Sequence, residues 1–399
     1  MNGLSKNHEG MRPRKLLSAF TTLLFLNLLV LFHHYSIAFV NSSFLGQFLS
    51  PEEVSAVFVA AALIVIVFLA NAPRLIRTFR TLPLFIIIIP VLQLLVFFMG
   101  FAKTALAAVF FFVMQTALYY LLRYILDLYL ESLSKDESRT GNTRGLFVTA
   151  GNLGVFLGPL VAALIIVGTF FAPLYAFSAA LLLPVFLIAL GPLQNIHPHQ
   201  PSTVSFLDGL RQVWCCRPHI RRIMAAHLLF RIFGALVVIY VPLYLFESGA
   251  FSWQAIGGLL MFALIPFLIL EIPLGFLADH FFGEKEILAI GLAIMGVSTA
   301  MLSFTPLSLS IVWGIWFILA QVGAAMAEIA TESYFFKHVT EEDAPLISAF
   351  RSLTPLGGII TPALALVALL IVPLSSIFAI FGALFLVGIP FTLRILDTR

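Results

Sequence analysis

The chain has 399 residues, 61% of them hydrophobic and 10% charged, with a formal net charge of +3. Roughly a quarter of the residues in a soluble domain are charged, so this composition excludes one, and the small, scattered positive balance gives no footprint for nucleic acid. A hydrocarbon core of about 30 Å takes about 20 apolar residues per helix, so twelve spans would use roughly 240 positions and leave short loops. Any chemistry is therefore expected among the spans, because a folded domain beside them needs about 50 residues or more. The two cysteines, Cys215 and Cys216, are adjacent and give no disulfide framework.

Apolar runs separated by charge or by Pro and Gly predict spans at about 16–40, 54–73, 82–101, 105–131, 145–167 and 172–192. Six more are predicted at about 220–246, 254–277, 287–304, 308–333, 346–371 and 374–395. Residues 1–192 then form an amino-terminal six-helix half, 193–219 a linker, and 220–399 a carboxy-terminal half. Within the polar stretch from Pro192 to His219, Ser205 and Asp208 resemble a capping box. Phe206, Leu210, Val213 and Trp214 follow at helical spacing, which predicts a helix lying on the membrane surface. With the amino terminus inside, all of the 22 Lys and Arg except Lys103, Arg123 and Arg231 fall on the cytoplasmic side or its edge. Both termini are accordingly expected in the cytoplasm, in a cell (plasma or inner) membrane. Met1 to Ala19 does not read as a cleaved signal peptide, since the apolar run that follows is long enough to span.

The halves repeat. Asn152-Leu-Gly-Val-Phe-Leu-Gly-Pro159 in span 5 shares its Leu, Gly and Pro with Pro355-Leu-Gly-Gly-Ile-Ile-Thr-Pro362 in span 11, at an offset of 203. Asp127, Glu131 and Ser132 in span 4 match Glu328, Glu332 and Ser333 in span 10 at an offset of 201. Six spans per copy is an even number, which makes the copies parallel, as in the halves of transporters with a midplane site.

Between spans 8 and 9 stands Gly275-Phe-Leu-Ala-Asp279-His-Phe-Phe-Gly283-Glu-Lys285. It resembles the signature of the major facilitator superfamily: Gly, any residue, Leu, Ala, Asp, a base, Gly, then bases. It departs by one extra residue before Gly283 and by Glu284 where a base is usual. Small residues let two helices approach, and a carboxylate at a tight turn can face the positive amino-terminal end of a neighbouring helix. The equivalent first-half turn, Asn71-Ala-Pro-Arg74-Leu-Ile-Arg77-Thr-Phe-Arg80, keeps the bases and lacks the acid. In span 5, Gly154 and Gly158-Pro159 resemble the proton-coupled drug-exporter branch, with alanines where that branch has glycines. A plain helix-packing seam accounts for them better, and span 4 lacks that branch's basic motif near its outer end. The resemblance implies an all-α integral membrane fold of twelve helices in two parallel six-helix halves.

Ionisable residues inside spans are costly and mark function by default. Duplicated charges at one edge, Glu131, Glu332, Arg144 and Arg351, read as a cytoplasmic gate with Gly275, Asp279, Gly283 and Lys285. Arg231 has no repeat counterpart, Leu28 standing at the matching position. It lies about 11 residues into span 7, roughly 16 Å deep at 1.5 Å per residue, and is the leading substrate contact. Arg123, with Asp127 one turn away, is a second substrate contact or an internal ion pair. Of His33 and His34 only one can face a cavity, since adjacent positions point about 100° apart. Burial favours a protonated carboxyl, so Glu271, Asp127 and Glu328 are proton-coupling candidates, with Glu271 alternatively a partner of Arg231 or Arg123. His197, His199, Cys215, Cys216 and His219 fit no zinc spacing.

The sequence offers no nucleotide loop and no catalytic triad, so no cofactor and no enzyme activity are expected. The reading is a secondary active transporter working by alternating access, a monomer in the lipid bilayer, exporting a small-molecule substrate with a proton as partner. Uptake or exchange of an anionic solute is the alternative. A membrane-embedded enzyme and a non-transporting receptor on the same fold are the rivals from other classes.

Overall fold

The computed structural model describes residues 13–133, 140–195, 218–270, 273–274, 283–339 and 343–395. Its helices in the first half of the chain are α1 (Pro13–Leu45), α2 (Pro51–Phe79), α3 (Thr81–Met99), α4 (Ala105–Leu133), α5 (Thr140–Ile165), α6 (Ala172–Ala180) and α7 (Leu182–Leu190). The second half adds α8 (Pro218–Glu247), α9 (Trp253–Ile269), α10 (Glu284–Phe304), α11 (Ser310–His338), α12 (Ala344–Arg351), α13 (Leu353–Leu369) and α14 (Ile377–Thr392). Among the described residues ten stretches are long and apolar enough to cross a membrane, α6 with α7 making one of them, and the shorter apolar helices Thr149–Ile165 and Trp253–Ile269 bring the number to twelve. Among the described residues there is no β-strand beyond an isolated bridge between Val167 and Phe170. The predicted surface helix at 204–214 lies outside the described residues.

Local chemistry sets several of the boundaries. Ser50 and Glu53 form a reciprocal cap at the start of α2, Ser50 N donating to Glu53 Oε2 at 2.9 Å and Glu53 N to Ser50 Oγ at 3.4 Å. Proline removes a donor and crowds the carbonyl four residues back. Two predicted spans break at that place: span 6 at Leu181, after Ala180, four before Pro184, and span 11 at Ser352, after Arg351, four before Pro355. The predicted turn at 71–80 needs correction. Pro73 sits inside α2, which continues to Phe79, and the connection to α3 is the single residue Arg80 with φ 61°.

The chain divides into two compact units, Met1–Ala38 with Leu63–Ser202, and Phe39–Ala62 with Thr203–Arg399. In the first, α3 packs on α4, α6 and α7. It buries Phe85, Ile88, Leu92 and Val96, while Ile87, Val91, Leu94 and Phe98 form an exposed stripe at helical spacing. Such a stripe is a liability in water and the expected face toward lipid. In the second unit α10 packs on α11 and α14, and α8 packs on α9, α11, α13 and α14. With 61% of its most apolar window buried, α8 is the most enclosed of the candidate spans, and it carries Arg231.

Candidate functional site

The second unit holds a charge cluster built on α8 and α11. α13 runs close along α8 because Gly357 has no side chain: a Cβ there would lie 2.8 Å from the carbonyl carbon of Arg231. The Thr361 hydroxyl, one turn on, donates to the Ile232 carbonyl at 3.1 Å. Held this way, Arg231 directs its guanidinium to α11. Nη2 lies 3.5 Å from Glu332 Oε1 and Nη1 lies 3.8 Å from Glu328 Oε1. Arg231 Nε donates to His227 Nε2 at 3.0 Å, one turn back on α8. His227 is 1% exposed, its Nδ1 is 2.9 Å from Thr331 Oγ1, and Phe350 of α12 covers its ring at 4.2 Å between centroids. The guanidinium also lies 4.8 Å from the ring centroid of Phe230.

The first unit holds a related cluster with the cation on a different helix. Arg123 of α4 donates through Nη1 to Asn27 Oδ1 of α1, and its Nη2 lies 3.7 Å from Asp127 Oδ1. Asn27 Nδ2 donates to the Phe147 carbonyl of α5 at 2.6 Å, so one buried amide ties three helices together. Here too a glycine permits close approach: a Cβ on Gly154 would lie 2.7 Å from Phe32 N, and one on Gly158 would meet the Tyr35 carbonyl. Pro159 follows inside α5 without breaking it.

The two adjacent histidines part as the helical angle requires. His33 is buried, and its Nδ1 lies 2.9 Å from both the carbonyl and the hydroxyl of Ser178 on α6, whose hydroxyl donates back to the His33 carbonyl at 2.8 Å. His34 stacks on Tyr119 of α4 at 3.6 Å and meets Tyr35 edge-on at 5.2 Å. Tyr119 meets Tyr120 at 5.4 Å. This aromatic group lies one turn before Arg123 on α4.

At the signature turn, Gly275 and Asp279 lie outside the described residues, as does Glu271. Gly283 caps α10 in an extended conformation, and Lys285 pairs with Glu286 at 3.8 Å. Glu284, which stands where the signature has a base, is 1% exposed; it accepts from Lys337 of α11 at 2.5 Å and from Ser333 at 3.2 Å. The acid thus meets a base supplied by the neighbouring helix, and the departure from the signature is compensated locally. Glu131 and Arg144 fall in α4 and α5, with side chains outside the described residues, and Arg351 closes α12 with its side chain exposed. No group of three metal-ligating side chains gathers among the described residues, which exclude His197, His199, Cys215 and Cys216.

Sequence reasoning missed Asn27, His227, Thr331 and the pair Glu284 with Lys337. A signal existed for the first two, since an amide and an imidazole inside apolar runs both need partners. His227 also stands four residues before Arg231, on the same helical face.

Ion pairs and polar clamps set within long apolar helices define a multi-pass membrane protein. The profile of the Major Facilitator Superfamily matches residues 23–340, and the chain belongs to that superfamily. It is a transporter of that type and not an enzyme. No curated protein sequence matches it. Its fold is shared with the nucleoside transporter NupG, at 15% identity over 94% of this chain and 99% of that one, TM-score 0.69. It is shared also with the POT family transporter PepTSo, at 9% identity over 96% and 97%, TM-score 0.70. A bacterial homolog of the human lysosomal transporter Spinster has 14% identity over 96% and 94%, TM-score 0.66.

Proposed function

We propose that this transporter exports a small organic solute by alternating access, driven by protons. The observation that carries the reading is Arg231 facing Glu328 and Glu332 inside apolar spans. A carboxylate that exchanges a guanidinium partner for a proton is a minimal coupling device, and charges at such depth are costly unless they work. In this reading Arg231, Arg123 and His34 contact the solute, while Glu328, Asp127 and Glu271 carry the proton. His33, engaged by Ser178, serves packing. Gly275, Asp279, Gly283 and Lys285, with Glu131, Glu332, Arg144 and Arg351, form the inner gate, and both termini lie in the cytoplasm of a monomer in the cell membrane. Export rests on the resemblance of Gly154 and Gly158-Pro159 to the drug-exporter branch. Uptake of an anion drawn to Arg231 and Arg123 is less well supported, because both guanidiniums already face carboxylates.

The test is isotope flux across proteoliposomes under an imposed pH gradient. Nucleosides head the panel, as the solute named for one fold neighbour. Movement against the solute's own gradient, abolished by a protonophore, is the expected result. Flux indifferent to the proton gradient for every transported solute would end the proton-coupled reading.

A further inference from the structure

The bonding around His227 fixes its tautomer. The single hydroxyl proton of Thr331 is committed to the backbone, donating to the Ala327 carbonyl at 2.7 Å with the Glu328 carbonyl at 3.0 Å. Thr331 Oγ1 therefore accepts from His227, and the imidazole proton sits on Nδ1 at 2.9 Å. Nε2 is left with its lone pair, which accepts the Nε–H of Arg231 at 3.0 Å. The ring is neutral in this arrangement, since an imidazolium has two donors and no acceptor.

We propose that His227 is the proton-responsive positioning residue of the Arg231 site: neutral, it holds Arg231 through Nε2; protonated on Nε2, it releases the guanidinium toward Glu328 and Glu332. The inference rests on the proton-coupled reading above. A proton arriving at Nε2 occupies the lone pair, so the Arg231 Nε–H loses its acceptor and two like charges stand one helical turn apart. The acceptors within reach are the carboxylates already 3.5 and 3.8 Å from the guanidinium, distances long enough to shorten. Nδ1 takes no part, because it already carries a proton and keeps its acceptor in Thr331.

The charged and titratable groups set around His227 among the described residues come from α8, α11 and α12. Arg231 shares its helix, Glu328 and Glu332 come from α11, and Arg351 follows Phe350 on α12; α9, α13 and α14 bring no titratable side chain. The first unit supplies a natural control. Asn27 stands 200 residues before His227, and its amide oxygen accepts from Arg123. An amide does not titrate near neutrality, so that clamp is permanent and the one at His227 is conditional.

The experiment needs no identified solute, since its probe is the proton. Full-length protein in proteoliposomes on a solid-supported membrane is subjected to pH jumps and the charge displacement is recorded. The parent is expected to show a displacement with a defined pH midpoint. His227→Gln, whose amide oxygen reaches the Nε2 position and accepts from Arg231 without binding a proton, should lose most of it. Thr331→Val, a milder change, removes the acceptor of Nδ1–H and should shift the midpoint to lower pH, because that bond is stronger in the imidazolium. A folded His227→Gln protein with the parent's displacement, or an unmoved midpoint in Thr331→Val, would overturn the assignment while leaving proton coupling to another group. A parent with no displacement would overturn the proton-coupled reading together with this one.

Discussion

The clusters around Arg123 and Arg231 share a frame and differ in the placement of their cation. Phe147 and Phe350 stand at matching repeat positions, as do Gly154 and Gly357, and Asp127 and Glu328. In each unit a glycine lets one helix press on another beside the cluster. Yet the guanidinium comes from α4 in the first unit and from α8 in the second, and it is held by an amide in one and an imidazole in the other. The environments differ as well: Asp127 is 56% exposed, whereas Glu328, in the same place on the second frame, is 28% exposed. The duplicated backbone keeps a charge pair in each unit, and the choice of residues around it makes one pair rigid and the other responsive.

That asymmetry is open to test. The largest effect is expected from Arg231→Ala, which takes the guanidinium away from Glu328 and Glu332 and should lower transport by at least about tenfold, or about 1.4 kcal/mol in the barrier. Arg231→Lys keeps the charge but loses the planar fork, so part of the activity should remain. Arg123→Ala should cost less, because Asn27 still ties α1 to α5 through the Phe147 carbonyl. Flux normalised to protein in the membrane measures all three, and equal losses for Arg123→Ala and Arg231→Ala would erase the distinction between the clusters.

The shared frame is sharpened by Gly154→Ala and Gly357→Ala. Each added methyl meets backbone, at 2.7 Å from Phe32 N and 2.8 Å from the Arg231 carbonyl carbon. Overpacking of this kind costs about 1–3 kcal/mol, so both variants should melt earlier in detergent and by comparable amounts. A neutral result at one position alone would mean that the two helix pairs are not equivalent.

The smallest effect concerns the turn before the third helix of each half. Arg80 and Gly283 stand at matching positions, 203 apart, each capping the helix that follows. Gly283 has φ −72°, whereas Arg80 is held at φ 61°, a region that L side chains rarely adopt. Arg80→Gly should therefore raise the thermal midpoint, by about 1 kcal/mol of relieved strain. No rise would show that the Arg80 side chain makes up for its backbone.

Twelve spans, the repeat and the family signature were legible in the sequence because each depends on short-range regularity. Apolar length, small residues at fixed spacing and duplicated acids are properties of the chain read locally. The pairing of Arg123 with Asp127 followed from the one-turn spacing. The partners of Arg231 did not, because Glu328 and Glu332 lie about a hundred residues away and periodicity does not say which faces of α8 and α11 meet. For the same reason Glu284 read as a departure from the signature until Lys337 was found against it. The roles of Asn27 and His227 were decided by tertiary structure alone. A lone polar side chain in an apolar run announces that it needs a partner, and only the packing of helices distant in sequence determines which partner it receives and whether a proton can break the bond.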